Sequence, residues 1–94
     1  METLIKFTDV ANNAATNEEG LKLFIAISNE IKKGNDVCLS LLGCPPMSSS
    51  FLNSSFGELI DSHGVELIRH SIRLINYKPS YATRIADYMD SHHK

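Results

Sequence analysis

The stretch VCLSLLGCPPMSSSFLNSSFGEL, residues 37–59, decides how this chain is read. Val37 to Leu42 is almost unbroken apolar sequence, the pattern of a central strand in a parallel sheet with helices over both faces. Gly43, Pro45 and Pro46 then break the strand. The polar run Ser48–Ser50 opens a segment in which Leu52, Phe56, Leu59 and Ile60 recur at helical spacing. A helix is therefore expected over 48–62, with Gly64 as its stop. Gly57 inside that helix costs about 1 kcal/mol relative to alanine, which points to close backbone packing.

Working outward, Leu4 to Thr8 alternates, with Ile5 and Phe7 on one side and Leu4, Lys6 and Thr8 on the other, as in a short strand. Asp9 to Thr16 reads as a loop. Thr16-Asn17-Glu18-Glu19 matches a capping box and predicts a helix to Lys33, stopped by Gly34. Leu21, Phe24, Ile27 and Ile31 form its stripe, widened by Leu23 and Ile25. Beyond the decisive stretch, Val65 to His70 fits either a helical turn or an extended link. Ile72 to Tyr77 reads as a third strand. Pro79 suits the first turn of a last helix, whose stripe is Tyr81, Ile85, Tyr88 and Met89. The alternation predicts an α/β fold in one domain, residues 1–94: a small, mainly parallel or mixed sheet packed with about three helices and joined by right-handed crossovers.

The net charge of −2 supplies no basic surplus for a phosphate backbone, so no nucleic-acid partner is expected. METLIKFTDV lacks the basic-then-apolar pattern of a secretory leader. No apolar run approaches the roughly 20 residues that span a bilayer. A cytoplasmic location away from membranes is expected. Cys38 and Cys44 are too few for a disulfide framework and do not match a metal motif. Both are expected to be reduced, Cys38 buried and Cys44 more exposed.

In open α/β sheets, sites form beyond the carboxyl ends of strands, and the loop after Leu42 delivers Ser48, Ser49 and Ser50 to that edge. One serine suffices as a cap. A phosphate on another would meet free backbone N–H groups and the positive end of the helix dipole. Ser49 is the preferred acceptor, with Ser48 and Ser50 as alternatives. On a helical wheel Phe51 falls with Ser55, Glu58 and Ser62, about 100° from Leu52. It either folds over Met47 or Pro46 or serves as an aromatic anchor. Ser48, Ser49, Ser50, Phe51 and Ser55 make up the expected partner-binding surface.

No Gly-rich phosphate loop with its lysine occurs. Cys44 with His63 or His70 is the alternative nucleophile and base. Asp90, His92 and His93 are metal-ligand types, but a solvated terminus is the plainer reading. Glu58 and Asp61 read as part of a wet face rather than an acid–base pair. No catalytic residue, metal or cofactor is expected.

The strand VCLSLLG, the turn SSSF, then LNSSFGELI, then IRLINY followed by a helix resemble the STAS-like domains of unknown function in bacteria, themselves similar to the STAS domains of anti-sigma factor antagonists and sulfate transporters. The resemblance covers residues 37–90, and the SSF…FG block is its most specific part. It implies a regulatory protein-binding module whose partner is a kinase-like ATPase or an anti-sigma-like protein. In the antagonists the loop carries an Asp-Ser-Ser-Gly block whose first serine is phosphorylated. By position Ser48 stands at the Asp, Ser49 at the phosphorylated Ser, Ser50 at the second Ser, Phe51 at the Gly and Leu52 at the next apolar residue. Because the Asp and the Gly are replaced, partner binding carries over better than phosphorylation. Residues 17–33 also depart, reading as a helix where the STAS pattern begins with strands. Two other classes stay open: a small enzyme using a Cys or His, and a homodimer joined through the first helix or the edge of the first strand.

Overall fold

The computed structural model describes residues 1–92. Three parallel strands, β1 (Glu2–Lys6), β2 (Asp36–Ser40) and β3 (Ile72–Ile75), lie in the order β1-β2-β3. The expected parallel sheet is therefore present, with the apolar run of residues 37–42 supplying the central strand. The first strand ends earlier than the alternation suggested. Phe7 to Val10 forms a short helical turn, α1, which carries Phe7 into the core at 1% exposure.

Helix α2 (Asn17–Lys32) links β1 to β2. Its capping box is half formed. Thr16 Oγ1 accepts from Glu19 N at 3.3 Å, but the Glu19 carboxylate turns instead to Asn12 N at 2.6 Å and Lys22 Nζ at 2.7 Å. Lys22, then the Asn12 amide, hold that carboxyl below its ordinary pKa. The buried stripe is also rotated from the expected one. Leu23 and Ile27 are buried, whereas Leu21 and Ile25 stand exposed.

Between β2 and β3 the chain forms α3 (Ser49–Leu52), a π-helical segment (Asn53–Gly57), α4 (Glu58–His63) and α5 (Val65–Ser71). The ambiguous stretch at 65–70 is thus helical, and the regular helix expected over 48–62 contains a π turn. The last helix, α6, spans Pro79–His92. The chain is cut into more helical pieces than the expected three. Asn76, at φ 53°, ends β3 in a left-handed conformation that asparagine tolerates; its Nδ2 donates to Ser40 Oγ at 3.0 Å.

Consecutive parallel strands joined by crossovers of one hand place their connections on one face of the sheet. The packing agrees. Val37 and Leu39, with Ile5, Ile72 and Leu74, join a core that contains Leu23, Ile27, Phe51 and Phe56. The alternate residues Leu4, Cys38, Ser40 and Ile75, on the other face, do not belong to it. The continuous apolarity of β2 suggested helices on both faces; among the described residues they cover one. Arg73 crosses the uncovered face from β3 to reach Glu2 on β1 at 2.9 Å.

Candidate functional site

The edge singled out by sequence is the start of α3, and its residues have different fates. Ser48 is the N-cap: its Oγ accepts from Phe51 N at 3.1 Å and donates to Ala15 O at 2.9 Å. Both capacities of that hydroxyl are spent on joining α3 to the loop before α2. Ser49 and Ser50 are exposed, and neither side chain makes a hydrogen bond among the described residues.

Phe51 is corrected from anchor to core. It is 0% exposed and lies against Phe7, the ring centroids 5.8 Å apart and tilted by 56°. Ser55 is corrected in the same sense. It is also 0% exposed, and its hydroxyl donates to Phe51 O at 2.7 Å. That bond explains its burial. A π turn displaces the usual i−4 backbone bonding, and the serine hydroxyl satisfies the Phe51 carbonyl inside the helix.

Two glycines press neighbouring helices onto the π segment. A Cβ on Gly20 of α2 would stand 2.6 Å from Phe51 O and 2.9 Å from Ser54 Cβ. A Cβ on Gly57 would stand 2.5 Å from the Tyr88 hydroxyl of α6. Tyr88 Oη donates to Asn53 Oδ1 at 2.6 Å and lies 3.1 Å from His92 Nδ1, while His92 Nε2 lies 3.1 Å from Asp61 Oδ1. Burial, and then the charges of Asp61 and Glu58, hold the Tyr88 phenol above its ordinary pKa. Most of the SSF…FG block therefore builds the helix and its packing, and Ser49 and Ser50 are its free surface.

Beside Ser49 runs an open groove of about 500 Å³ between α3 and α6, lined by Leu52, Ser80, Thr83, Arg84, Asp87, Tyr88 and Ser91 as well as Ser49. Arg84 Nε donates to Met47 O at 2.9 Å, which fixes the guanidinium next to the start of α3. Its Nη atoms make no hydrogen bond or ion pair among the described residues. Sequence reading missed this polar wall because it followed only the apolar stripe of α6. The signal was present in two series at i, i+4 spacing: Ser80, Arg84, Tyr88 and Thr83, Asp87, Ser91.

The groups considered for catalysis and metal binding are dispersed. Cys44 is buried, contrary to the expected exposure, and its Sγ donates to Pro45 O at 3.2 Å. Burial pushes its thiol up to about 11, which makes it a poor nucleophile near neutrality. Alkylation by iodoacetamide should be slow at pH 8, where only about 0.1% of such a thiol is ionised, and should accelerate roughly tenfold per pH unit toward pH 11. Rapid labelling of Cys44 at pH 7, followed by peptide mapping, would contradict this environment. His63 Nε2 lies 2.9 Å from the Oγ of Ser28, a hydroxyl 2% exposed, and His70 Nδ1 lies 2.7 Å from Glu66 O. Neither histidine bonds to Cys44.

Asp90 pairs with Arg69 and His92 with Asp61, while His93 lies outside the described residues. No group of three or more His, Cys, Asp or Glu placed to hold a metal occurs among the described residues. Glu58 and Asp61 are exposed. No described helix is long and apolar enough to cross a membrane.

A three-stranded parallel sheet with its helices gathered over the core face, and the SSF…FG block packed at its centre, can be compared with known proteins. The sequence model of one family, described as a STAS-like domain of unknown function (DUF4325), matches residues 19–82. No curated protein and no solved structure matches. The match covers more than half of the chain and includes α2, β2, the π segment and β3, so the chain belongs to the STAS-like domain family of unknown function.

Proposed function

We propose that this domain is a regulatory protein-binding module that acts through docking rather than through a catalytic centre of its own, working in the cytoplasm. Its contact edge is the start of α3 with the adjoining wall of α6, and Ser49 is the regulatory hydroxyl. The supporting observation is the division of labour among the serines. Ser48 and Ser55 are hydrogen-bonded into the fold, whereas Ser49 is exposed, unengaged and set in a groove with Arg84. A phosphate on Ser49 would bring about −2 charge beside a guanidinium with donors to spare. Ser50 shares the exposure but does not line that groove. By family resemblance the partner is an anti-sigma-like protein or a kinase-like ATPase.

The test compares partner recovery from the source cell's extract by wild type, Ser49→Asp and Ser50→Asp, with phosphosite mapping of the protein isolated from the same cells. Ser49→Asp should change recovery of at least one partner by about tenfold or more, an energy of about 1.4 kcal/mol, and Ser50→Asp should change it less. Phosphate should map to Ser49. Equal recovery by all three proteins, with no phosphate on the serine run, would overturn the reading.

A further inference from the structure

The uncovered face of the sheet carries an inference separate from the α3 edge. Its rows run Glu2–Asp36 at the amino ends of the strands, Leu4–Cys38–Arg73 in the middle, and Lys6–Ser40–Ile75 at the carboxyl ends. Leu4 is 55% exposed and Leu42, just beyond β2, is 70% exposed. These two side chains, with Ile75, Lys6, Ser40 and Asn76, border an open cleft of about 450 Å³. Parallel sheets are ordinarily covered on both faces, so an apolar strip left open on this one calls for a cover.

The charges around the strip indicate what covers it. Arg73 and Glu2 are paired across the face. Asp36 and Lys6 stand at opposite ends, and neither side chain makes an ion pair or hydrogen bond among the described residues. Two copies stacked face to face about a two-fold axis perpendicular to the strands would run antiparallel. Each copy's Glu2–Asp36 end would then lie over the other's Lys6, with Leu4 and Ile75 between them. Stacking with strands running the same way would oppose Asp36 to Asp36. The face is complementary to itself in one orientation and repulsive in the other, and a two-fold interface requires such self-complementarity.

We infer that the open sheet face is a homodimer interface in which two copies stack with antiparallel strands, Lys6 of each meeting the acidic end of the other. The face measures about 16 Å by 14 Å from strand rise and spacing. A pair of such faces falls below the roughly 1,200 Å² of a standard-size interface. The dimer is therefore a weak, reversible one.

Sedimentation equilibrium of the full chain from about 5 to 500 µM tests this with wild type, Leu4→Glu, Lys6→Glu and the charge swap Lys6→Glu/Asp36→Lys. Circular dichroism confirms that each variant is folded. Wild type should pass from monomer to dimer across this range, and less readily at 1 M salt, where the Debye length is about 3 Å. Leu4→Glu should remain monomeric, Lys6→Glu should weaken association by about tenfold or more, and the swap should recover part of that loss. A wild type that is monomeric at every concentration would overturn the inference and leave the face to a different protein. A dimer indifferent to both Leu4→Glu and Lys6→Glu would also overturn it, by placing the contact on another surface, such as the free edge of β1.

Discussion

Phe51→Ala should lower the stability of this domain by about 3–5 kcal/mol, the range for truncating a fully buried phenylalanine. Phe51 is 0% exposed, packs on Phe7, and carries the carbonyl that accepts the Ser55 hydroxyl. Small domains have only about 5–15 kcal/mol in total, so the variant should be largely unfolded in moderate urea. Urea titration followed by circular dichroism gives the loss as a shift in midpoint at nearly constant slope. Ser49→Ala, two positions away on the exposed rim, should move the midpoint by no more than about 0.5 kcal/mol equivalent. A wild-type midpoint for Phe51→Ala would mean that the ring is not in the core. The contrast also decides which substitutions report on binding. Loss of a partner by Phe51→Ala would report unfolding, whereas the same loss by a Ser49 variant would report the surface.

The second large effect is expected at Gly20, and Gly57 serves as its control. Both lie within helical segments, where alanine is favoured over glycine by about 1 kcal/mol. On Gly20, however, the new methyl would meet the Phe51 carbonyl and the Ser54 Cβ at 2.6 and 2.9 Å. Neither can yield without moving α2 away from the π segment. Overpacking of this kind costs about 1–3 kcal/mol or more, so Gly20→Ala should destabilise by about 2 kcal/mol net. On Gly57 the closest atom, at 2.5 Å, is the end of the Tyr88 side chain. That ring can swing aside at the loss of its bond to Asn53, about 1 kcal/mol, which the propensity gain offsets. Gly57→Ala should therefore be within about 1 kcal/mol of wild type by the same titration. Equal losses at the two positions would show that the contact of α2 with the π segment is less intimate than described.

These two glycines also show how much of the fold was legible in the sequence. Gly57 was read as a sign of close packing, and Tyr88 is what packs there. Gly20 carried no such signal, because its neighbour lies on an element 31 residues away in sequence. Strand and helix order followed from apolar periodicity, and the parallel sheet followed from that order. The face of the sheet left open did not, because Cys38, Ser40 and Leu42 are apolar or small enough to suit a covered strand as well as a bare one. Phe51 was misplaced for a geometric reason. Wheel arithmetic at 100° per residue assumes α-helical winding, whereas the winding changes between Asn53 and Gly57. Phe51 and Phe56 consequently share the core although they are five residues apart. Ser49 was legible as a rim residue, but Arg84, which gives that rim its charge, was not. Only folding brings α6 alongside α3.

The wide turn at 53–57 makes chain length here as informative as residue identity. Removing a single residue from it would let the backbone relax into ordinary α-helical winding, yet would turn everything downstream by about 100°. Leu59 and Ile60 would be aimed away from the interior, and His63 would be carried off the Ser28 hydroxyl it meets at 2.9 Å. Within this block, changes of letter should be borne more readily than changes of count, and relatives that preserve the count should preserve the phase of the helix on either side.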